Sequence, residues 1–246
     1  MSAEELDWLV NFDCSEQERE RMKLSNVLLA GVALGLVAGT ASAQGRGGAA
    51  SAANTDIYHV EFVKAAPGQA LAAATELQKQ DPKAPMQGHF VVLRHQDGDD
   101  WDFCVIEHVG TKATVEIGAP PPASPTPTTA WHNDTFVVGP SWAEFQRAMG
   151  AAAGGVYIVS THRAVPGHRD QLVATLNQAD PASKVKYGHL LFTHLEGGAW
   201  QYLSVDHYNS WSELATDRSS AVSGQAWADV RAHSASHSDT IADRLK

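Results

Sequence analysis

The stretch "GHFVVLRHQDGDDWDFCVIEHVG" (Gly88–Gly110) is answered about a hundred residues later by "GHLLFTHLEGGAWQYLSVDHYNS" (Gly188–Ser210). Each reads Gly-His, an apolar run, a Gly-containing turn, Trp, one residue, an aromatic, and then an acid followed by His. Short β-branched and aromatic runs around a Gly turn are the mark of a β-hairpin. The likeness extends outward from the hairpins. "IYHVEFVKAAPGQALAAATELQK" (Ile57–Lys79) answers "VYIVSTHRAVPGHRDQLVATLNQ" (Val156–Gln178), and "HNDTF" (His132–Phe136) answers "HSDTI" (His237–Ile241). The repeating unit spans about 90–100 residues, the size of a small domain and too long for a solenoid repeat.

One unit reads as a strand, a Pro-Gly turn, an Ala/Leu-rich helix (Gln69–Gln80; His168–Gln178), a hairpin, a variable helical stretch, and a closing element with the His-x-Asp-Thr motif. That order, β-α-β-β-α-β, predicts a ferredoxin-like arrangement and an α+β fold. A four-stranded sheet with helices on one face leaves the other face bare, and a second copy would cover it. The first unit is expected over residues 56–150 and the second over 155–246. Within the first unit, "APPPASPTPTTA" (Ala119–Ala130) reads as a Pro-rich surface insert without regular structure. "GPSWAEFQRAMGAAAGG" (Gly139–Gly155) reads as a short linker helix with Trp142, Phe145 and Met149 on one side.

The openings "EFVKAAPGQ" (Glu61–Gln69) and "STHRAVPGH" (Ser160–His168) resemble the start of monooxygenase-like members of the dimeric α/β-barrel superfamily. That group includes the antibiotic-biosynthesis-monooxygenase-like, EthD-like, stress-responsive and chlorite-dismutase-like families. The resemblance singles out none of these. It implies two tandem ferredoxin-like units that pack sheet on sheet into a barrel, here within one chain. It also implies action on a small molecule, without a cofactor in the monooxygenase-like members and with haem on a single His in another branch.

Outside the repeat, the front of the chain carries its own signal. "MKLSNVLLAGVALGLVAGTASAQ" from Met22 has a basic start, an apolar run and Ala-Ser-Ala before Gln44. That is the pattern of a secretory signal over residues 22–43. Residues 1–21 are acidic, unlike a signal's leading segment, and read as a mis-assigned start; residues 44–55 read as a flexible tether. The expected location is therefore periplasmic or secreted, with no membrane association after cleavage. Cleavage leaves Cys104 as the one cysteine. No internal disulfide is then available, and its apolar strand predicts a buried thiol. A net charge of −10 and the absence of any Lys/Arg run exclude a nucleic-acid partner, which needs a basic face. The expected partner is a small apolar or aromatic molecule, with the chain a monomer or homodimer.

Side chains alternate along a strand, so hairpin register decides which of them meet. A two-residue turn at Gly197-Gly198 sets His189 opposite Asp206, with Trp200 and Tyr202 on the same face. A five-residue loop at Gln96–Asp100 sets His89 opposite Glu107, with Trp101 and Phe103 alongside. The face bearing His, acid and aromatics is expected to line the barrel, and the aliphatic face to lie under helices. A His held by a carboxylate is a general base poised near neutral pH, or a self-satisfied buried pair. The candidate catalytic residues are thus His89, Glu107, His189 and Asp206. Trp101, Phe103, Trp200, Tyr202, His59 and His162 are candidates to wall in a ligand. His59, Glu61, His89 and Glu107 form a weak divalent-metal set without tight spacing, so no metal is assigned. The repeated His-x-Asp-Thr reads first as a turn or cap.

Two functions remain at this point. One is a cofactor-independent, monooxygenase-like enzyme. The alternative is a barrel that binds haem, a metal or a small ligand without turnover. No cofactor is favoured. Exported protein is expected to begin at Gln44 in intact-mass measurement, and an intact Met1 or Met22 terminus would overturn the assignment.

Overall fold

The computed structural model describes residues 55–79, 84–113, 127–150, 155–178, 185–221 and 224–246. The expected start, signal and most of the tether, and residues 119–126 of the insert, lie outside them. The described residues fall within one unit, Gly48–Lys246. None of their helices is long and apolar enough to cross a membrane.

The fold is α+β. Eight strands, β1 (Asp56–Ala65), β2 (Phe90–Asp97), β3 (Phe103–Thr111), β4 (Thr129–Gly139), β5 (Val156–Ala164), β6 (Gly188–His194), β7 (Tyr202–Tyr208) and β8 (Ser234–Arg244), pair antiparallel. Their order is β1-β3-β2-β8-β5-β7-β6-β4, and it closes on itself. Cut between the halves, the ring reads β4-β1-β3-β2 and then β8-β5-β7-β6. Each half therefore places its strands in the order fourth, first, third, second. The second strand of each half pairs with the fourth strand of the other, through β2–β8 and β6–β4. The helices described are α1 (Ala70–Leu77), α2 (Trp142–Met149), α3 (Arg169–Leu176), α4 (Trp211–Ala221) and α5 (Gln225–His233).

The ring interior is aliphatic and aromatic. Val60, Phe62, Val91, Leu93, Cys104, Ile106, Val137, Val159, Leu190, Phe192, Leu203 and Val205 form one buried cluster. Cys104 is fully buried, as its strand predicts, and burial pushes its thiol far above the usual range. The linker helix α2 joins the same cluster through Phe145 and Met149. It starts at a capping box in which Ser141 and Glu144 satisfy each other's backbone amides, worth about 1 kcal/mol. The repeated tyrosines hold both its ends: Tyr58 Oη donates to Pro140 O and Tyr157 Oη to Met149 O, each at 2.8 Å.

This interior reverses the expected faces. Phe103 packs under α1 with Val63 and Val92, and Tyr202 packs under α3 with Leu172 and Leu191. The His-acid face of the second hairpin thus points to the helices. The reason is closure: the inside of the ring is sealed on every side and takes aliphatic groups. The outer face is covered only by short helices and can hold polar ones.

Register divides the two hairpins. In the second, His189 stands opposite Asp206, Leu191 opposite Ser204 and Thr193 opposite Tyr202, as the Gly-Gly turn predicts. In the first, Phe90 rather than His89 stands opposite Glu107, and Val91 opposite Ile106. The expected His89–Glu107 pair is absent. Trp101 is drawn into the interior cluster against Phe62, with ring centroids 5.5 Å apart. It therefore belongs to the turn, and His95 N donates to Asp102 O. One extra turn residue shifts the register by one and sends each side chain of the strand to the other face. Two further expectations fail. His132–Phe136 and His237–Ile241 lie inside β4 and β8 rather than in turns, because they pair along the central strands β1 and β5. Thr129 and Ala130, read as the end of the insert, already belong to β4.

Gly88 and Gly188 open the two repeats for different reasons. Gly88 has φ +75° with open space beside it, so the backbone conformation asks for glycine. At Gly188 a Cβ would fall on the backbone carbonyl of Ala148 in α2. Gly188→Ala is expected to wedge β6 from α2 and cost about 1–3 kcal/mol as overpacking does. Urea denaturation with an unchanged midpoint would contradict that close approach.

Candidate functional site

The outer face of the second half carries a cavity of about 140 Å³. Its floor is made by strands: Ser160 and His162 from β5, His189 from β6, Ser204 and Asp206 from β7, Asp239 from β8. Leu176 of α3 and Trp227 and Val230 of α5 supply apolar wall. A space of this size matches a single aromatic ring, since a 150 Å³ apolar cavity takes benzene.

The polar groups on the floor are tightly partnered. His189 Nδ1 lies 2.6 Å from Asp206 Oδ1, and Lys186 Nζ lies 3.0 Å from Oδ2. Burial opposes ionisation of Asp206, yet the hydrogen bond and charge of His189 and the Lys186 ammonium hold its pKa down at about 2. The ionised carboxylate accepts from His189 Nδ1–H and so fixes the orientation of the ring. His162 is buried, with Nε2 3.0 Å from Ser204 Oγ and Nδ1 without a hydrogen-bond partner. Burial lowers its pKa to about 4 against the pull of Asp239, so it is neutral at pH 7. Asp239 is held ionised despite burial by Ser160 and by Arg218, whose Nη1 is 2.9 Å away. Tyr208 donates to Asp217 Oδ2 at 2.6 Å, and burial raises its phenol far above the ordinary value.

The outer face of the first half gathers a different set. His59 Nε2 is 3.3 Å from Asp134 Oδ1, and His59 Nδ1 is 3.8 Å from Glu107 Oε2. His132 Nδ1 is 3.2 Å from Glu61 Oε1 and 2.9 Å from Asp134 Oδ2. His59 is partly buried, but Asp134 and Glu107 raise its pKa to about 9.

Of the sequence candidates, His162, His189 and Asp206 come together around one cavity, and His59 and Glu107 meet in the other half. His89 does not join them. It lies at the ring's end, Nδ1 3.0 Å from His108 Nδ1, and stacks on Trp142 at 4.4 Å. None of the four aromatic candidates is among the residues lining the second-half cavity. Trp101 fills the interior and Phe103 lies under α1. Trp200 stacks on His194 at 4.2 Å against the interior cluster. Tyr202 lies under α3, its hydroxyl donating to Arg169 O at 3.1 Å. Their faces follow from the closed interior. Sequence reading missed Lys186 and Trp227. It undervalued His132, Asp134 and Asp239, whose signal was the repeated His-x-Asp.

No protein-family model matches the chain, and no curated protein does. The fold is similar to the solved structure of an anthrone oxidase-like protein, with a TM-score of 0.52 and 11% identity over 80% of this chain and 94% of that one. Two structures described as candidate monooxygenases are more distant. One, from Lactobacillus acidophilus NCFM, has a TM-score of 0.46 and 8% identity over 77% of this chain and 94% of its own. The other, from Fusobacterium nucleatum subsp. nucleatum ATCC 25586, has a TM-score of 0.49 and 11% identity over 78% and 93%. At such identities the likeness is one of fold.

His162 makes stability depend on pH with a definite sign. Its folded pKa of about 4 lies below the ordinary 6.5. Above pH 6.5 both states are neutral and its contribution is complete. As pH falls from 6.5 to 4 the unfolded chain takes up the proton first, and stability drops by up to about 3 kcal/mol. His162→Gln is expected to remove that part of the slope in urea titrations across this window; an unchanged slope would contradict a neutral, buried His162.

Proposed function

We propose that the chain is a cofactor-independent, monooxygenase-like enzyme, exported to the periplasm or secreted, that acts on a small aromatic molecule in the second-half cavity. The observation that carries this is the 2.6 Å contact between His189 and an ionised Asp206 beside a ring-sized space. We further read the chain as two tandem ferredoxin-like units forming a single-chain dimeric α/β barrel. The identical strand order of its halves supports that reading, and the likeness in fold to an anthrone oxidase-like protein agrees with it.

In this mechanism His189 Nε2 accepts a proton from an activated C–H or O–H of the substrate. Asp206 stabilises the imidazolium that forms and keeps the ring oriented. Lys186 holds the second carboxylate oxygen, so Asp206 stays ionised throughout. The delocalised substrate anion then reacts with dioxygen. When a methylene becomes a carbonyl, one oxygen atom enters the product and the other leaves as water. The two C–H bonds supply the four electrons, so no external reductant is required. Trp227, Leu176 and Val230 offer apolar wall to the ring and exclude water from the anion. A porphyrin is far larger than a 140 Å³ space, which weighs against haem at this position.

The test is oxygen uptake by the full chain with a hydroquinone or an aromatic bearing an acidic methylene. His189→Gln keeps a hydrogen bond to Asp206 but cannot act as base. It is expected to lower kcat about 10²–10⁴-fold while the near-UV spectrum and ligand binding persist. Asp206→Asn is expected to lose activity through misorientation. Uptake unaffected by His189→Gln would sink the assigned base. Saturable binding of aromatics by the wild type without oxygen uptake would favour a ligand-binding barrel.

A further inference from the structure

We infer that the outer face of the first half is a binding site for one divalent first-row transition ion, ligated by Glu61, His132 and Asp134. These three come from the adjacent strands β1 and β4. Their donor atoms lie within 4.8 Å of one another. His132 Nδ1 already stands 3.2 Å from Glu61 Oε1 and 2.9 Å from Asp134 Oδ2. Ligands about 2.0–2.2 Å from a metal stand roughly 3–4 Å from each other, so an ion needs only side-chain adjustment to be grasped.

Three observations favour a cation over a self-satisfied polar cluster. First, Glu61 and Asp134 are directly opposed across the strand pair, and like charges so placed repel. Second, His132 Nδ1 is buried and makes no hydrogen bond of normal geometry, despite two carboxylates within reach. An imidazole nitrogen between two carboxylates offers one nitrogen and two oxygens that a single cation can bridge. Third, the other half shows how the same position is treated without a metal. There Ser160 opposes Asp239, and the guanidinium of Arg218 neutralises that carboxylate at 2.9 Å. Glu61 replaces Ser160 in the first half, and among the described residues no Lys or Arg pairs with Glu61, Glu107 or Asp134. The connection between β3 and β4, residues 112–128, carries a single basic residue, Lys112.

His59 completes the site from behind. It bridges the other oxygen of Asp134 and Glu107, at 3.3 and 3.8 Å, and so acts as a positioning residue for a ligating carboxylate. The ligand side chains are about a quarter exposed, at 24%, 25% and 28% for Glu61, His132 and Asp134. That leaves room for entry and for water to complete the coordination. One nitrogen and two carboxylates suit Mn(II), Fe(II), Co(II) or Zn(II) better than calcium, which prefers an all-oxygen shell.

The test uses the full chain, stripped with chelator and titrated calorimetrically with Zn(II) and Mn(II), with Co(II) absorption as a coordination signature. One equivalent bound per chain is expected. Asp134→Asn and Glu61→Gln should each weaken it at least tenfold, and His59→Gln by less. Asp239→Asn, in the other half, should leave the stoichiometry and affinity unchanged. Circular dichroism of each stripped variant checks that the fold persists, and Glu61→Ser, which copies the other half, provides a variant expected to fold. Absence of binding by all three ions, or binding that is unaltered by Asp134→Asn and Glu61→Ser, would overturn the site.

Discussion

Everything in this molecule follows from two strand pairings, β2 with β8 and β4 with β6, that close the sheet on itself. An open eight-stranded sheet would leave two edges with unpaired amides and carbonyls. Closure removes both edges and encloses an interior of buried side chains. That interior must be filled by apolar side chains, and the alternating residues of all eight strands are thereby assigned. Most that point inward are Val, Leu, Ile, Phe and Tyr, with the buried hydroxyls of Thr135 and Thr240 among them; Asp56 and His108 are buried against each other at 3.0 Å.

The two candidate polar clusters therefore sit on the outer face of the ring. Each half offers an equivalent patch of strand there. The central strands β1 and β5 contribute Glu61 and Ser160 at matching positions, opposite Asp134 and Asp239 respectively. Small differences redirect the electrostatics. In the second half a serine and an arginine leave Asp239 neutralised, and Asp206 is free to orient His189. In the first, Glu61, Glu107 and Asp134 gather around the imidazoles of His59 and His132. Two halves with the same strand order can thus present unlike polar clusters, because the backbone fixes where side chains stand while single residues set the charge.

The halves are joined by α2, and its anchoring explains residues that repeat without being chemical. Tyr58 and Tyr157 recur because each grips one end of the α2 segment. Gly188 recurs in letter but is needed for the close approach of α2. Such positions look in sequence like a repeated active-site motif and are in fact repeated supports.

The sequence by itself determined the strand-turn-helix order, the Pro-Gly turns, the linker helix with its Phe145 face, the burial of Cys104, and the meeting of His189 with Asp206. These are local: a Gly-Gly turn sets hairpin register within a few residues, and apolar spacing marks a helix face. Only the tertiary structure decided which face of each hairpin is inside, because alternation alone is symmetrical between two faces and closure breaks that symmetry. It also decided that Trp101 enters the core, which shifts the first hairpin by one residue and parts His89 from Glu107. And it brought His132 and Asp134 beside Glu61, since those residues lie about seventy positions apart in the chain and only the β1–β4 ladder sets them side by side.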